Sequence, residues 1–324
     1  MKENNIKYFY EKILKIKEEL SKVIVGQEKL IDSLIIALLA DWHIILEWVP
    51  WLAKTLSIQT LAKTLDLDFK RISFTPDLLP WDLLWWEIYN QAEAKFYIKK
   101  WPIFTNFLLA DEINRAPSKV QSALLESMQE RKITIANETY ILDKPFFVLA
   151  TQNPIEQEWT YKLPEAQLDR FLLKVIIDYP TESEEIDIMK NYNKQEDVKI
   201  KKILSKKELL ELQDLLENEI FVDEKIYKYV KDLVFATRYP ANYSLDKIVN
   251  YISYWASPRA SIALIKTSKI CAFLDNRNYV TPDDIKSVAY DCLRHRIWLT
   301  FEALWDSINT DMIISEILSW VIVP

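Results

Sequence analysis

One glycine in 324 residues, beside twelve tryptophans, is the feature that most limits what this chain can fold into. At the usual share of about 7%, a chain of this length would hold roughly 23 glycines. Glycine enters left-handed backbone without a Cβ clash, so tight turns and helix ends normally draw on it. The tryptophans stand where those glycines are expected. Trp48 and Trp51 flank Val49-Pro50 in a turn after a strand, and Trp42 follows a helix ending at Ala40-Asp41, where a glycine would serve as the C-terminal cap. Trp101 precedes Pro102, Trp159 lies in a polar loop, and Trp255 comes just before the helix start Ser257-Pro258. A non-glycine residue forced into left-handed geometry costs roughly 1–2 kcal/mol. If half of these sites need it, the sum approaches a whole domain's stability of about 5–15 kcal/mol. Most of the Trp letters therefore read as mistranslated glycines, since UGA means Trp in some translation tables and Gly in a few bacterial lineages. Only 9 of the 41 basic residues are Arg, which fits an AT-rich gene. The competing reading is a protein genuinely rich in tryptophan.

The remaining composition is that of an ordinary globular chain, 50% hydrophobic and 27% charged, long enough for two domains. A net charge of −7 argues against a dedicated nucleic-acid binder, because duplex affinity comes mostly from phosphate neutralisation. Cys271 and Cys292 show no C-x-x-C spacing, which excludes a disulfide scaffold or zinc ribbon and fits a reducing compartment. No signal peptide is legible in the polar opening Met1–Asn5, and the longest apolar run, Leu34–Ala40, is far short of a membrane span. A soluble cytoplasmic protein is expected.

Apolar periodicity predicts helices over Ile6–Leu20, Gln27–Ala40, Thr55–Leu65 and Ser118–Glu130. Short strands are expected at His43–Glu47, Phe69–Phe74, Phe107–Asp111, Phe146–Thr151 and Leu172–Ile177, with hairpins near Lys95–Lys100 and Ile133–Ile141. Strands alternating with helices imply an α/β fold, a mostly parallel sheet with helices on both faces. After Pro180 the pattern changes to helices only, among them one starting at Thr281-Pro282-Asp283-Asp284. The expected division is an N-terminal helix at 1–22, an α/β core at 23–180, a connector at 181–205 and a helical domain at 206–324.

Trp48-Val49-Pro50-Trp51-Leu52-Ala53-Lys54-Thr55 is the strongest motif. With glycine at 48 and 51 it becomes G-x-x-x-x-A-K-T, following a strand and opening a helix, the setting a phosphate-binding loop requires. Bare backbone N–H groups at a helix N-terminus cradle the anion, Lys54 reaches the β- and γ-phosphates, and the Thr55 hydroxyl ligates Mg²⁺. Literal indoles at 48 and 51 would oppose nucleotide binding. Phe107–Ala110 then runs into Asp111-Glu112, a buried strand ending in paired carboxylates. Asp111 is expected to hold Mg²⁺ through water and Glu112 to deprotonate the attacking water. Asn153, at the end of the next strand, stands where it can touch the γ-phosphate or that water; alone it would read as a turn residue before proline.

The runs Asp111–Pro117, Ala150–Gln157 and Leu163–Phe171, together with Phe74–Pro80 and Trp255–Ala260, resemble the MoxR family of AAA+ ATPases. The resemblance extends from about Val23 to His295. Its departures are nearly all of one kind, Trp42, Trp48, Trp51, Trp85, Trp101, Trp159 and Trp255 standing for family glycines, and less directly Trp81, Trp298, Trp305 and Trp320. The resemblance implies an αβα ATPase core, an all-helical AAA+ lid and assembly into a ring, a hexamer in the family. It implies that Arg170 is an arginine finger reaching a neighbouring subunit's γ-phosphate, with Arg115 as a rival, and that Arg259 is a sensor coupling nucleotide state to the lid. Ile24-Val25-Gly26-Gln27 resembles the adenine-pocket segment, so Val25 and Gly26 join the binding set. It further implies chaperone-like remodelling of client proteins, often with von Willebrand factor A domain partners in metal-cofactor insertion. The alternatives are a non-hydrolysing scaffold, should the tryptophans be real, and a chelatase-subunit or DNA-translocase motor. His43 and His295 read as structural rather than catalytic.

Overall fold

The computed structural model describes residues 2–24, 26–48, 53–90, 95–100, 102–135, 138–153, 161, 163–177, 179, 181–191 and 199–324. The first half runs α1 (Lys2–Ser21), α2 (Glu28–Leu39), β1 (Ile44–Trp48), α3 (Ala53–Leu65), β2 (Phe69–Ser73), α4 (Pro80–Leu84) and the hairpin β3 (Trp85–Asn90) and β4 (Lys95–Lys100). It continues through β5 (Phe107–Asp111), α5 (Ser118–Glu130), the hairpin β6 (Lys132–Ile135) and β7 (Glu138–Ile141), β8 (Phe147–Gln152), α6 (Glu165–Leu168), β9 (Leu173–Ile177) and α7 (Glu182–Asn191). The second half holds α8 (Lys206–Glu219), α9 (Glu224–Arg238), β10 (Ile252–Tyr254), α10 (Pro258–Leu274), α11 (Pro282–Leu293), β11 (Trp298–Leu299), α12 (Phe301–Trp305) and α13 (Thr310–Trp320).

The five long-range strands form one parallel sheet in the order β2-β5-β8-β1-β9. Alternation along each strand divides the core between the two faces. Ile44, Leu46, Phe107, Leu109 and Val175 face α1, α2, α3 and the later helices in one apolar cluster, while Ile45, Leu108, Ala110, Val148 and Ala150 face α5 in another. The first cluster runs without a break into α8–α11, so sheet and helical half share one core. The second half is not purely helical as its pattern suggests: β10 and β11 pair in a short antiparallel ribbon. Strands of three and two residues carry too little alternation to register in a sequence.

Helix ends show how the chain turns with so little glycine. α2, α3, α10 and α12 finish with Asp41, Asp66, Asn276 and Ser307 at φ of 51°, 53°, 56° and 56°. In each, the next residue's N–H reaches back to a carbonyl five positions earlier: Trp42 to Ala37 (3.2 Å), Leu67 to Ala62 (3.1 Å), Arg277 to Ala272 (2.8 Å) and Ile308 to Ala303 (2.8 Å). These are Schellman closures, and short polar side chains tolerate the left-handed position better than most because they bond locally. The cap expected at Trp42 is therefore formed by Asp41 instead. Among the described residues no tryptophan takes positive φ.

Candidate active site

Parallel strands bring their carboxyl ends to one edge, and in open α/β sheets that edge forms the ligand crevice. β1 ends there at Trp48, and α3 opens at Ala53. Val49, Pro50, Trp51 and Leu52 of the expected phosphate loop, and Val25 of the adenine segment, lie outside the described residues. Lys54 and Thr55 occupy the first turn of α3. β5 ends at Asp111 two strands from β1, and β8, the strand between them, ends at Gln152 beside Asn153. The expected phosphate, acid and sensor positions thus converge on one edge.

Asp111 is buried, 3% exposed, and both carboxylate oxygens are engaged. Oδ1 accepts from the Thr151 hydroxyl at 2.7 Å, and Oδ2 accepts from Arg71 Nη2 at 2.6 Å. Thr151 Oγ1 in turn accepts the Glu112 backbone N–H at 2.9 Å. Glu112 sits at φ 58°, ψ 49°, a left-handed position for a residue with a Cβ. Such strain, of order 1–3 kcal/mol, persists where surrounding bonds over-determine it, and it clusters at functional sites. The Glu112 carboxylate lies 3.2 Å from Arg115 Nε. Asn153 is buried, and its backbone carbonyl lies 3.4 Å from Asn114 Nδ2. Arg71 and Thr151 are site residues that motif reading does not single out. Arg71 reaches the site only because β2 pairs with β5, Ser73 opposite Asp111.

The donor set fits Mg²⁺. The Thr55 hydroxyl and the Asp111 carboxylate are hard oxygens, and Mg²⁺ arriving with a nucleotide needs only one or two protein oxygens beside phosphate and water. A buried carboxylate calls for a cation, and Arg71 already supplies one. Among the described residues no group of three or more His, Cys, Asp or Glu side chains is gathered to cage a metal by itself.

Gly26, the one glycine, takes left-handed backbone where a side chain would have to displace the Glu184 carboxylate. Its φ is +69°, and an added Cβ would fall 2.2 Å from Glu184 Oε1. Glu184 caps α7 by accepting from the Thr181 N–H at 2.8 Å and hydroxyl at 2.9 Å. These bonds hold its carboxyl below the ordinary range. Gly26 therefore lets the segment before α2 lie against the start of α7, beyond the carboxyl end of β9.

Arg170 and Arg259 lie elsewhere. Arg170 precedes β9, so it stands at the amino edge, where Leu172 N–H bonds His43 O (2.8 Å) and the Trp42 indole donates to the Arg170 carbonyl (2.6 Å). Five strand residues, about 16 Å at 3.3 Å each, separate that edge from the end of β1. Arg170 Nη1 donates to Leu125 O at 2.9 Å, while its Nε is buried without a partner. Arg259, at the start of α10, comes within 3.7 Å of Asp169. Arg170, Arg259 and Arg131 line one cavity of about 210 Å³. Arg115, by contrast, stays at the carboxyl edge beside Glu112. Both histidines are buried in packing roles: His43 Nδ1 accepts from Val148 N–H (3.1 Å) and its Nε2 lies 3.1 Å from Met128 O.

Residues 43–173 match the ATPase family associated with various cellular activities (AAA), and residues 248–317 match the AAA lid domain. The chain is 44% identical to chaperone MoxR1 of Mycobacterium tuberculosis, over 94% of this chain and 81% of that protein. It is 42% identical to the uncharacterized protein YeaC of Bacillus subtilis, over 95% and 93% of the two chains. A crystal structure of a candidate ATPase from Cytophaga hutchinsonii aligns with TM-score 0.94 at 51% identity, covering 99% of this chain and 98% of that one. With a parallel-sheet core, a helical lid and relatives of this closeness along nearly its whole length, the chain belongs to the MoxR family of AAA+ ATPases.

Proposed function

We propose that the chain binds ATP with Mg²⁺ at the carboxyl edge of the sheet, hydrolyses it, and works as a ring, a hexamer, that remodels or matures client proteins in the cytoplasm. One arrangement carries this reading. Asp111, Glu112 and Asn153 gather beside the end of β1, while Arg170 and Arg259 gather at the opposite edge.

The backbone N–H groups of residues 48–53 and the Lys54 ammonium would bind the phosphates, and Thr55 and Asp111 would hold the metal. When bound, Mg²⁺ neutralises charge on the phosphate oxygens as the bond to the γ-phosphorus breaks. Glu112 takes the proton of the attacking water, and Asn153 orients that water or the γ-phosphate. Arg170 and Arg259 stand about 16 Å from their own phosphate site along the strand direction, so they act on a neighbouring subunit's site. A ring satisfies this need, because each subunit then completes the next. The phosphate turn has this function only if glycine stands at 48 and 51. Partners with von Willebrand factor A domains follow from the family resemblance alone.

The test is ATP hydrolysis by the purified chain with Lys54→Ala and Glu112→Gln variants. Lys54→Ala is expected to abolish nucleotide binding. Glu112→Gln should keep binding and lose about 10²–10⁴ in rate, the usual contribution of a general base. A rate that neither substitution changes would remove the assignment.

A further inference from the structure

The segment that carries Arg170 is fastened to the helical half by one carboxylate. Asp169 Oδ1 accepts from Arg296 Nε at 2.8 Å, and Oδ2 accepts from the Ser257 hydroxyl at 2.8 Å. The Arg259 guanidinium stands 3.7 Å from the same Oδ2. Ser257 is also the cap of α10, accepting the Arg259 N–H at 3.1 Å, so the carboxylate holds the very turn from which Arg259 projects. On the other side, the Arg296 side chain is fully buried and donates to Phe171 O at 2.6 Å and Leu172 O at 3.1 Å. His295 Nε2 adds a contact to Phe171 O at 3.0 Å. Residues 169–172 are thereby fixed from the lid, and Arg170 lies inside that fixed stretch.

We infer that Asp169 is a positioning residue that sets Arg170 and Arg259 as one unit for the neighbouring subunit's nucleotide, and that Arg296 is the buried post to which the unit is tied. The inference rests on the trans-acting role proposed for the two arginines. A carboxylate suits the task because it accepts on two sides at once. Its first oxygen faces the buried Arg296, and its second gathers Ser257 and Arg259. A shift of the lid relative to the sheet must then move both arginines together. A guanidinium misplaced by about 1 Å can cost on the order of 10²-fold in rate.

Asp169→Asn separates the two sides without changing shape. The amide keeps one oxygen to accept from Arg296 Nε, so the buried guanidinium stays bonded. Its NH₂ group removes the acceptor that faced Ser257 and Arg259: it meets the guanidinium donor to donor and can reach the Ser257 hydroxyl only by donating, so the hold on the first turn of α10 is loosened while the tie through Arg296 remains.

The experiment is subunit mixing, with genes that encode glycine at the tryptophan positions standing for family glycines. Glu112→Gln subunits keep their arginines but cannot hydrolyse; Arg170→Ala subunits keep a whole nucleotide site but cannot assist a neighbour. Each alone should be inactive, and their mixture should recover activity. If it does not, the trans role of Arg170 fails, separately from the role of Asp169. Asp169→Asn alone is expected to lose at least tenfold in kcat with KM for ATP unchanged. It should recover when mixed with Glu112→Gln, which supplies a positioned arginine, and should not recover with Arg170→Ala, which lacks the same function. Recovery with Arg170→Ala but not with Glu112→Gln would place Asp169 in its own chain's chemistry and overturn the inference. Recovery with neither would make it a residue of folding alone, and an unchanged kcat would make it dispensable; both also overturn it.

Discussion

Arg71 holds the carboxylate that the proposed mechanism gives to a divalent cation. The guanidinium holds Asp111 Oδ2 at 2.6 Å, and Asp111 is the residue expected at the metal. Arg71 is half exposed, its side chain 47% accessible, so it can withdraw toward solvent when the cation arrives. Arg71→Gln is therefore expected to tighten Mn²⁺ binding to the nucleotide-free protein by about tenfold, worth about 1.4 kcal/mol, read by electron paramagnetic resonance of the free ion. Unchanged or weaker binding would show that the two do not compete. The acids were legible in the sequence because an apolar run that ends in Asp111-Glu112 reads as a buried strand, although alone it could equally run into a solvated acidic turn. Arg71 was not legible. Its role depends on strand pairing 40 residues away in sequence, and its own neighbours read as an ordinary alternating edge strand. Asp169 was hidden in the same way, because its partners Ser257 and Arg296 come from the lid.

At the level of elements, most helices and strands follow from periodicity, because apolar faces at a 3.6-residue repeat or at alternate positions have few other uses. The short helices α4 and α6 escaped it, and so did two further features. The β10–β11 ribbon is too short to show a pattern, and the helix ends use Asp, Asn and Ser where glycine was expected. A pH dependence belongs at this scale. His43 joins the end of α5 to the start of β8, accepting from Val148 N–H through Nδ1 and donating to Met128 O through Nε2, so the neutral ring is required. Burial pushes its pKa down to about 4, and His295 is displaced the same way by burial. A base whose folded pKa is lowered contributes stability that is complete above its unfolded value, about 6.5, and is lost as pH falls toward the folded one. Melting experiments are expected to show stability falling between about pH 6.5 and 4, with His43 contributing on the order of 3 kcal/mol. His43→Gln should flatten that slope while lowering stability at neutral pH. A slope unaltered by the substitution would assign the acid sensitivity elsewhere.

Across the whole molecule, the two edges of the sheet divide the work. In the mechanism we propose, phosphate, metal and water chemistry belong to the carboxyl edge, and the arginines offered to a neighbour belong to the amino edge, where Asp169 bonds the lid. Family motifs made both edges visible in the sequence, but only folding shows that they are opposite. The central claim, an ATP-hydrolysing AAA+ subunit, depends on what residues 48 and 51 are in the cell. The direct measurement is the mass of the tryptic peptide Leu30–Lys54 from protein made in its native host, which contains positions 42, 48 and 51. A mass that fits three glycines is expected, leaving the phosphate turn open to nucleotide. A mass that fits three tryptophans would put indoles in the phosphate cradle and contradict the claim, leaving a family member that acts as a scaffold without hydrolysis.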